Sequence, residues 1–502
     1  MNGRRDEVHD ENEDTRIRSQ SPVAAAAGIQ PIDWRRAGVL SLVAVACFHL
    51  AYTPAQSGVL SFAIVGYVIC LVQLARLRST RQCFYTALAV GFACYAPQLE
   101  CFWRIFGAAA IPLWLVLSVW LALFVVLTHL AIIHLGLKRA AWLAPFLWTG
   151  LEYFRSELYY LKFSWLNVGY AFAESLAIPW DFVGIYGVGF LVAAWSGLFL
   201  VVPMRRVLIF TLVIAAVVAI APFFLARAAR ARLTPNIRVA GVQLEFPDSR
   251  DILHALNQVV VEDKRLVANH LGAPPLTNVS LIGLSEYSLD GEPTDALKNW
   301  CRTNQKFLIV GGKDSSPGTN YYNTAFVIGT NGEVVFKQAK SVPIQFFKDG
   351  LPAPEQKLWD SPWGKIGICI CYDLSYTRVT DELVRQGAQM LVVPTMDVAD
   401  WGRHQHELHA RVAPVRAAEY SIPIFRVASS GISQGVDKYG RVQSSAPFPG
   451  EGEMIFFGAH LGQEGSLPLD RLLAPLCVGV TVIFVGWLGF KRFNTRSRGG
   501  KH

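Results

Sequence analysis

Eight apolar runs constrain this chain more than any other feature, seven of them within the first 225 residues and one near the C-terminus. A helix rises about 1.5 Å per residue, so about 20 residues are needed to cross about 30 Å of hydrocarbon. The runs Ala37–Thr53, Gly58–Ala75, Cys83–Leu99, Ala108–Leu135, Ala141–Phe154, Phe182–Val202, Val207–Leu225 and Leu472–Phe490 are therefore read as membrane spans. With 52% hydrophobic and only 17% charged residues, the chain is more apolar than one soluble core requires. Residues 1–33 carry Arg4, Arg5, Asp6, Glu7, Asp10 and Glu11 and lack an apolar segment before a small-residue cleavage pattern, so they read as a disordered cytoplasmic tail, not a signal peptide.

Lys and Arg concentrate on the cytoplasmic side of a membrane. Arg35 and Arg36 precede the first run; Arg76, Arg78 and Arg81 follow the second; Lys138 and Arg139 follow the fourth. Arg205 and Arg206 join the sixth to the seventh, and Lys491 and Arg492 follow the last. Every second connection is basic, which places both termini inside and the segment between the seventh and eighth runs outside. Arg227, Arg230 and Arg232 oppose this assignment. The fifth run is short enough to be re-entrant instead, and removing one span would invert the domain.

From 233 to 460 the texture changes to short strands, Gly-containing turns and amphipathic helices, an α/β pattern. The strands expected are Ile237–Gln243, Val279–Leu284, Phe307–Val310, Thr324–Ile328, Glu333–Phe336, Lys365–Ile370, Met390–Val393 and Ile424–Val427. Thr330-Asn331-Gly332 reads as a hairpin turn. Five segments result: the tail 1–33, a membrane domain 34–232 with about seven helices, the α/β domain 233–460, a linker and last helix 461–493, and a basic cytoplasmic tail 494–502.

Reactive residue types stand where these strands end, the place functional loops occupy on a rigid sheet. Glu286 follows Val279–Leu284, Lys340 follows Glu333–Phe336, and Cys371 closes Lys365–Ile370. A free thiol titrates near about 8.5, so a nucleophilic cysteine needs a base or a nearby positive charge. Glu286 fits a general base, Lys340 an oxyanion stabiliser and Cys371 the nucleophile of an acyl-transfer site. Cys369, of the same strand parity, serves as the example of a small core residue.

The order Glu286, Lys340, Cys371 resembles the nitrilase, or carbon–nitrogen hydrolase, superfamily, as do Gly283-Leu284-Ser285-Glu286-Tyr287-Ser288 and Ile370-Cys371-Tyr372-Asp373. The membrane half narrows the resemblance to the apolipoprotein N-acyltransferase family, through Trp148-Thr149-Gly150-Leu151-Glu152-Tyr153-Phe154-Arg155, Phe163-Ser164-Trp165-Leu166-Asn167-Val168-Gly169-Tyr170 and Gly184-Ile185-Tyr186-Gly187. Pro394 to Gly402, Arg416 to Glu419 and Arg426 to Ser433 continue it.

That resemblance implies a polytopic helical domain of about eight spans joined to an extracytoplasmic αββα sandwich in a bacterial inner membrane, with the catalytic domain on the periplasmic side. It implies ping-pong transfer of an acyl chain from a phospholipid, through a Cys371 thioester, to the N-terminal diacylglyceryl-cysteine of an apolipoprotein. It implies a monomer with no cofactor, metal or nucleic acid. Where relatives carry Leu-Val-Pro-Phe-Gly-Glu after the lysine, this chain has Ser341-Val342-Pro343-Ile344-Gln345-Phe346-Phe347-Lys348-Asp349. Asp349, Asp373 and Tyr372 are thus secondary site candidates, and Trp165, Tyr170 and Trp401 candidate substrate contacts.

A membrane-tethered amidase is the alternative activity, suggested by Asp373 and the altered loop after Lys340. A catalytically idle scaffold or transporter-like protein is the third reading, disfavoured by retention of all three reactive residues. Three further features carry both a functional and a structural reading. His404, His406, His409 and Glu407 lack the i, i+4 spacing of the helical zinc motif and read as a polar helix face. Glu152 and Arg155 read equally as a functional or a structural intramembrane pair. The aromatic loop Tyr159, Tyr160, Phe163, Trp165 and Tyr170 suits a membrane interface, either as an anchor or as a substrate contact.

Overall fold

The computed structural model describes residues 31–53, 58–175, 177–203, 235–270, 278–316 and 318–499, with scattered positions between 205 and 216. The first thirty residues, most of the seventh apolar run and Arg227, Arg230 and Arg232 lie outside the described residues. The membrane half comprises α1 (Trp34–Ala51), α2 (Ala63–Leu74), α3 (Thr80–Gln98), α4 (Cys101–Phe106), α5 (Ala110–Leu135), α6 (Leu137–Tyr153) and α7 (Trp180–Gly197). Asp33 caps α1 by accepting from the Arg36 amide at 2.8 Å, and Ser79 caps α3 through the Gln82 amide at 3.3 Å. By length and hydropathy, Trp34–Ala51, Cys101–Leu135, Trp180–Leu200 and Asp470–Asn494 are each sufficient to cross a membrane, and Leu60–Leu74 is a shorter apolar helix.

The α/β half contains β1 (Ile237–Val242), α8 (Ser249–Ala268), β2 (Leu281–Gly283), α9 (Asp295–Asn304), β3 (Phe307–Asp314), β4 (Tyr322–Ile328), β5 (Val334–Ala339), β6 (Leu358–Ser361), β7 (Gly364–Ile368), α10 (Thr377–Arg385), β8 (Met390–Thr395), α11 (Arg403–Ala410), α12 (Val412–Tyr420), β9 (Ile424–Ala428), β10 (Ser433–Val436), β11 (Val442–Ala446), β12 (Met454–Ala459) and α13 (Asp470–Gly499). Two six-stranded sheets form, ordered β12-β1-β2-β3-β4-β5 and β11-β10-β9-β8-β7-β6. Val239, Ile309 and Val327 of the first sheet share a core with Ile368, Val392 and Val427 of the second, so the sheets pack face to face. The outer face of the first sheet packs Ala240, Ile282 and Leu308 on Ile252 and Leu256 of α8 and on Leu297 of α9. This is a four-layered αββα sandwich.

All eight expected strands form, and β4 and β5 pair antiparallel around Gly332, whose φ of 79° only glycine tolerates readily. β6, β10, β11 and β12 were not anticipated. β10 and β11, Ser-Gln-Gly-Val and Val-Gln-Ser-Ser-Ala, lack an apolar alternation, and β6 is a four-residue edge strand. β12 pairs with β1 from the opposite end of the domain, a long-range contact that no local pattern announces.

The outer layer of the second sheet does not face solvent alone. Leu383, Leu408, Val412 and Ile424 belong to the same contiguous core as Phe48, Leu121 and Leu147 of the membrane helices. α7 breaks at Gly184 (φ 65°, ψ 175°), freeing two amides: Ile185 donates to Glu419 of α12 at 2.6 Å and Tyr186 donates to Asp470 of α13 at 2.9 Å. Carboxylates at a helix N-terminus oppose its dipole favourably. A Cβ at position 184 would lie 2.2 Å from the Asp470 carboxyl, so the kink requires glycine. One break thereby fastens the membrane bundle to the sandwich and to the last helix.

Candidate active site

β2 ends at Gly283 and the chain turns so that Glu286 is buried against β3; a Cβ on Gly311 of β3 would be 2.6 Å from the Glu286 Cα. Lys340 leaves the end of β5 with its amide on the Asn323 carbonyl at 2.8 Å, and its side chain is fully buried. Its Nζ lies 2.8 Å from Glu286 Oε1 and 2.7 Å from Asp349 Oδ2. Asn323 Nδ2 donates to both carboxylates, to Glu286 Oε1 at 2.6 Å and Asp349 Oδ1 at 2.8 Å. Tyr287 OH and the Ile344 amide donate to Asp349 at 2.8 and 2.7 Å. Of the two carboxylates offered for the second acidic place, Asp349 thus joins the lysine.

Burial opposes every charge here, and the partners decide the outcome. For Lys340 the Glu286 and Asp349 carboxylates outweigh burial and hold the ammonium well above its ordinary value. Asp349 falls below its ordinary value because Lys340 outweighs burial. Glu286 rises, since burial together with Asp349 outweighs Lys340. Of the three charged groups, Glu286 is thus the one whose surroundings favour its neutral form.

β7 stops at Ile368, and Cys371 opens a short turn with φ of 52°, a left-handed conformation uncommon for non-glycine residues. Sequence parity placed Cys369 and Cys371 on one face. The turn separates them: Cys371 joins the core between the sheets, while Cys369 joins the core toward the membrane helices. Burial and then the Glu286 charge push the Cys371 thiol well up, with Lys340 opposing. Both the burial and the Glu286 charge favour the neutral thiol over the thiolate at this position. Met396 connects the halves of the site: its amide donates to Glu286 Oε2 at 2.9 Å and its carbonyl accepts from Cys371 Sγ at 3.7 Å.

Asp373 does not point at the reacting groups. It accepts the amides of Ser341 at 3.0 Å, Val342 at 2.7 Å and Ile370 at 3.2 Å, clamping the Lys340 loop to the Cys371 turn. Burial still pushes its carboxyl up to about 6 against those amides and Lys340.

Two cavities flank the site. An apolar one reaches Cys371 and is walled by Phe102 and Ile105 of α4, Leu113 and Leu117 of α5, and Phe163, Trp165 and Tyr372. A polar one is lined by Glu286, Tyr287, Lys313, Tyr321, Lys340 and Asp349. Ile344, Phe347 and Trp401 line both. Trp165 donates to Ser375 Oγ at 3.0 Å and meets the Tyr372 ring edge-on at 5.6 Å, and Tyr372 OH donates to the Lys162 carbonyl at 3.1 Å. Trp165, Trp401 and Tyr372 are brought to the site. Tyr170 is not: it is buried and lines neither cavity. Phe163 and Trp165 are buried too, so the aromatic loop is a wall of the cavity more than an exposed anchor, with Tyr160 its most exposed ring at 73%.

Two further expectations change. His406 and His409 are buried, not a polar face: His409 Nδ1 lies 2.8 Å from Asp397 Oδ1 and its ring stacks on Trp165 at 4.7 Å, while Arg426 also binds Asp397. No cluster of three or more metal-ligating side chains occurs among the described residues. Glu152 and Arg155 do not pair with each other. Glu152 accepts the Val168 amide at 2.9 Å, and Arg155 binds Tyr95 OH at 3.3 Å and the Asn167 side chain, so both brace the loop carrying Trp165. Asn323 and Met396 were missed. Asn323 lay one residue before the expected strand Thr324–Ile328, so no local pattern marked it, and the contacts of Met396 to Glu286 and Cys371 are made by its backbone.

The family model for the apolipoprotein N-acyltransferase N-terminal domain matches residues 44–198, and that for carbon-nitrogen hydrolase matches residues 238–455. The chain is 24% identical over 354 residues to the apolipoprotein N-acyltransferase of Geobacter metallireducens, covering 60% of this chain and 65% of that protein. It is 23% identical over 413 residues to the apolipoprotein N-acyltransferase of Shewanella oneidensis, covering 72% and 79%. Omega-amidase NIT2 of Mus musculus is 26% identical over 175 residues, covering 32% of this chain and 63% of that one. The amidase similarity covers 32% of this chain, whereas the acyltransferase similarities cover 60% and 72% of it, more than either half alone. The chain belongs to the apolipoprotein N-acyltransferase family within the carbon–nitrogen hydrolase superfamily.

Proposed function

We propose that this protein moves a fatty acyl chain from a membrane phospholipid, through a Cys371 thioester, to the α-amine of the N-terminal diacylglyceryl-cysteine of apolipoproteins. The observation that carries this reading is the apolar cavity: Cys371 and residues of α4 and α5 line the same space, and α4 and α5 belong to a stretch long and apolar enough to span a bilayer. An acyl chain lying there places its ester carbonyl beside the thiol.

In the first half-reaction Glu286 takes the Cys371 proton as sulfur attacks the ester carbonyl. Lys340 faces the developing oxyanion, a contribution typically of a few kcal/mol per donor. Collapse breaks the ester C–O bond, and Glu286 returns the proton to the departing lysophospholipid oxygen. In the second half-reaction Glu286 takes a proton from the acceptor amine, the C–N bond forms, the C–S bond breaks and the proton passes to sulfur. Asp349 keeps Lys340 charged when Glu286 is protonated, so the amine never lacks a counter-charge. The sandwich lies on the periplasmic side, as the basic connections direct, and the protein acts as a monomer without cofactor.

The tethered-amidase alternative drew on Asp373, but both its oxygens are engaged by backbone amides, so it holds the site together and selects no acceptor. Incubating the protein with phospholipid and a diacylated lipopeptide tests the proposal. Lysophospholipid and triacylated lipopeptide should appear in equal amounts. Release of free fatty acid with no lipopeptide product would point to a hydrolase.

A further inference from the structure

Resting on that reading, we propose that the polar cavity on the Glu286 side is the subsite for the polypeptide that follows the modified N-terminal cysteine of the acceptor. Its lining begins at Phe246 and includes nothing from the membrane helices, so it offers no wall continuous with the bilayer. Its charges balance: Glu286, Asp290 and Asp349 face Lys313, Lys340 and Lys348. Lys313 sits on Asp290 at 2.5 Å, and Lys340 lies between Glu286 and Asp349. A phosphate-bearing headgroup, which seeks a surplus of cationic donors, finds none.

The remaining lining suits a peptide. Tyr287, Tyr321, Phe246 and Trp401 line the cavity, with the Tyr287 hydroxyl held by Asp349 at 2.8 Å and the Tyr321 hydroxyl by the Lys348 carbonyl at 2.5 Å. Tyrosine and tryptophan provide large contact area with a polar handle at small entropic cost. The direction of the chemistry agrees. The acceptor amine must reach the thioester from the side where Glu286 can take its proton, while the acyl chain occupies the opposite, apolar cavity. The main chain that continues from that amine then runs out through the polar cavity, past the shared wall of Ile344, Phe347 and Trp401.

The test separates the half-reactions in the full-length protein with phospholipid micelles. Lys313→Ala and Phe246→Ala remove contacts, and Asp290→Trp narrows the cavity from a side chain that is 96% exposed. Each is compared with the unaltered protein for the burst of lysophospholipid, and for transfer to two acceptors: a diacylated lipopeptide and a diacylglyceryl-cysteine amide with no peptide. The burst should stay within about twofold, the KM for the lipopeptide should rise about tenfold, and the KM for the peptide-free acceptor should hold. A slowed burst would assign the cavity to the donor headgroup and overturn the inference. So would equal shifts for the two acceptors, or no shift in all three variants. Absence of any burst from the unaltered protein would remove the acyl-transfer reading itself and this inference with it.

Discussion

On one side of the catalytic junction, Glu286, Lys340, Asp349 and Asn323 hold one another through contacts of 2.6 to 2.8 Å, with Tyr287 and the Ile344 amide closing the net. On the other side, the Cys371 thiol has a weak contact to the Met396 carbonyl at 3.7 Å, feels the Glu286 and Lys340 charges, and opens on a largely apolar and aromatic cavity. The acid and amine are preorganised and stay in place while charge moves. In the proposed reaction the sulfur is the atom that changes covalent partner, and the apolar cavity that reaches it would let an acyl chain lie against it. Preorganised donors in a water-poor site are effective because no reorganisation is required at the moment of reaction.

Removing the loosely held partner should have the largest effect. Cys371→Ala should lower acyl transfer by about 10⁴-fold or more while the protein remains folded, as read by turnover and by thermal unfolding. Lys340→Met breaks the preorganised side and should cost about 10²- to 10³-fold in kcat. It should also move the pH profile. Glu286 must be ionised to accept the thiol proton, and burial already raises its pKa while Lys340 restrains that rise. Without the lysine the carboxyl titrates higher still, so the acid limb of kcat shifts to higher pH; an unmoved limb would separate Glu286 from the base.

Asp349 and Asp373 lie nine and thirty-three positions after Lys340, yet one serves the amine and the other the backbone. Asp349→Asn should cut kcat by about tenfold to a hundredfold with little loss of stability. Asp373→Asn leaves an acceptor set mismatched to three amides and should show first as a lower Tm, about 1–3 kcal/mol of stability, with activity per folded molecule less affected. The smallest effect belongs to the second cysteine: Cys369→Ala should leave turnover within about twofold, because its thiol faces the membrane-side core.

That Glu286, Lys340 and Cys371 stand at the ends of strands was legible because the apolar run of each strand is local. The α/β character of the domain was legible for the same reason, since β1, β2, β3, β8 and β9 are buried strands with short apolar sequences, whereas its two-sheet arrangement was expected only from the family resemblance. What depended on contacts between distant segments was not. The different environments of Cys369 and Cys371 arise from one left-handed residue, and alternation along a strand cannot announce its own end. His406 and His409 looked polar on their helix because the groups that cover them, Phe448 over His406 and Asp397 and Trp165 over His409, come from other elements. Of the cavity wall, the α5 residues read only as membrane span, and Phe102 and Ile105 of α4 fell in the connection between two expected spans. Asn323 and Met396 act through positions that hydropathy ignores.

Intact-mass measurement of the protein after exposure to phospholipid, with Cys371→Ala alongside, tests the central claim most directly. A fatty-acyl mass should appear on the unaltered protein, be absent from the variant, and be discharged by a diacylated lipopeptide. An adduct that persists in Cys371→Ala, or one that the lipopeptide leaves in place, would contradict the assignment of Cys371 as the carrier between the two halves of the site.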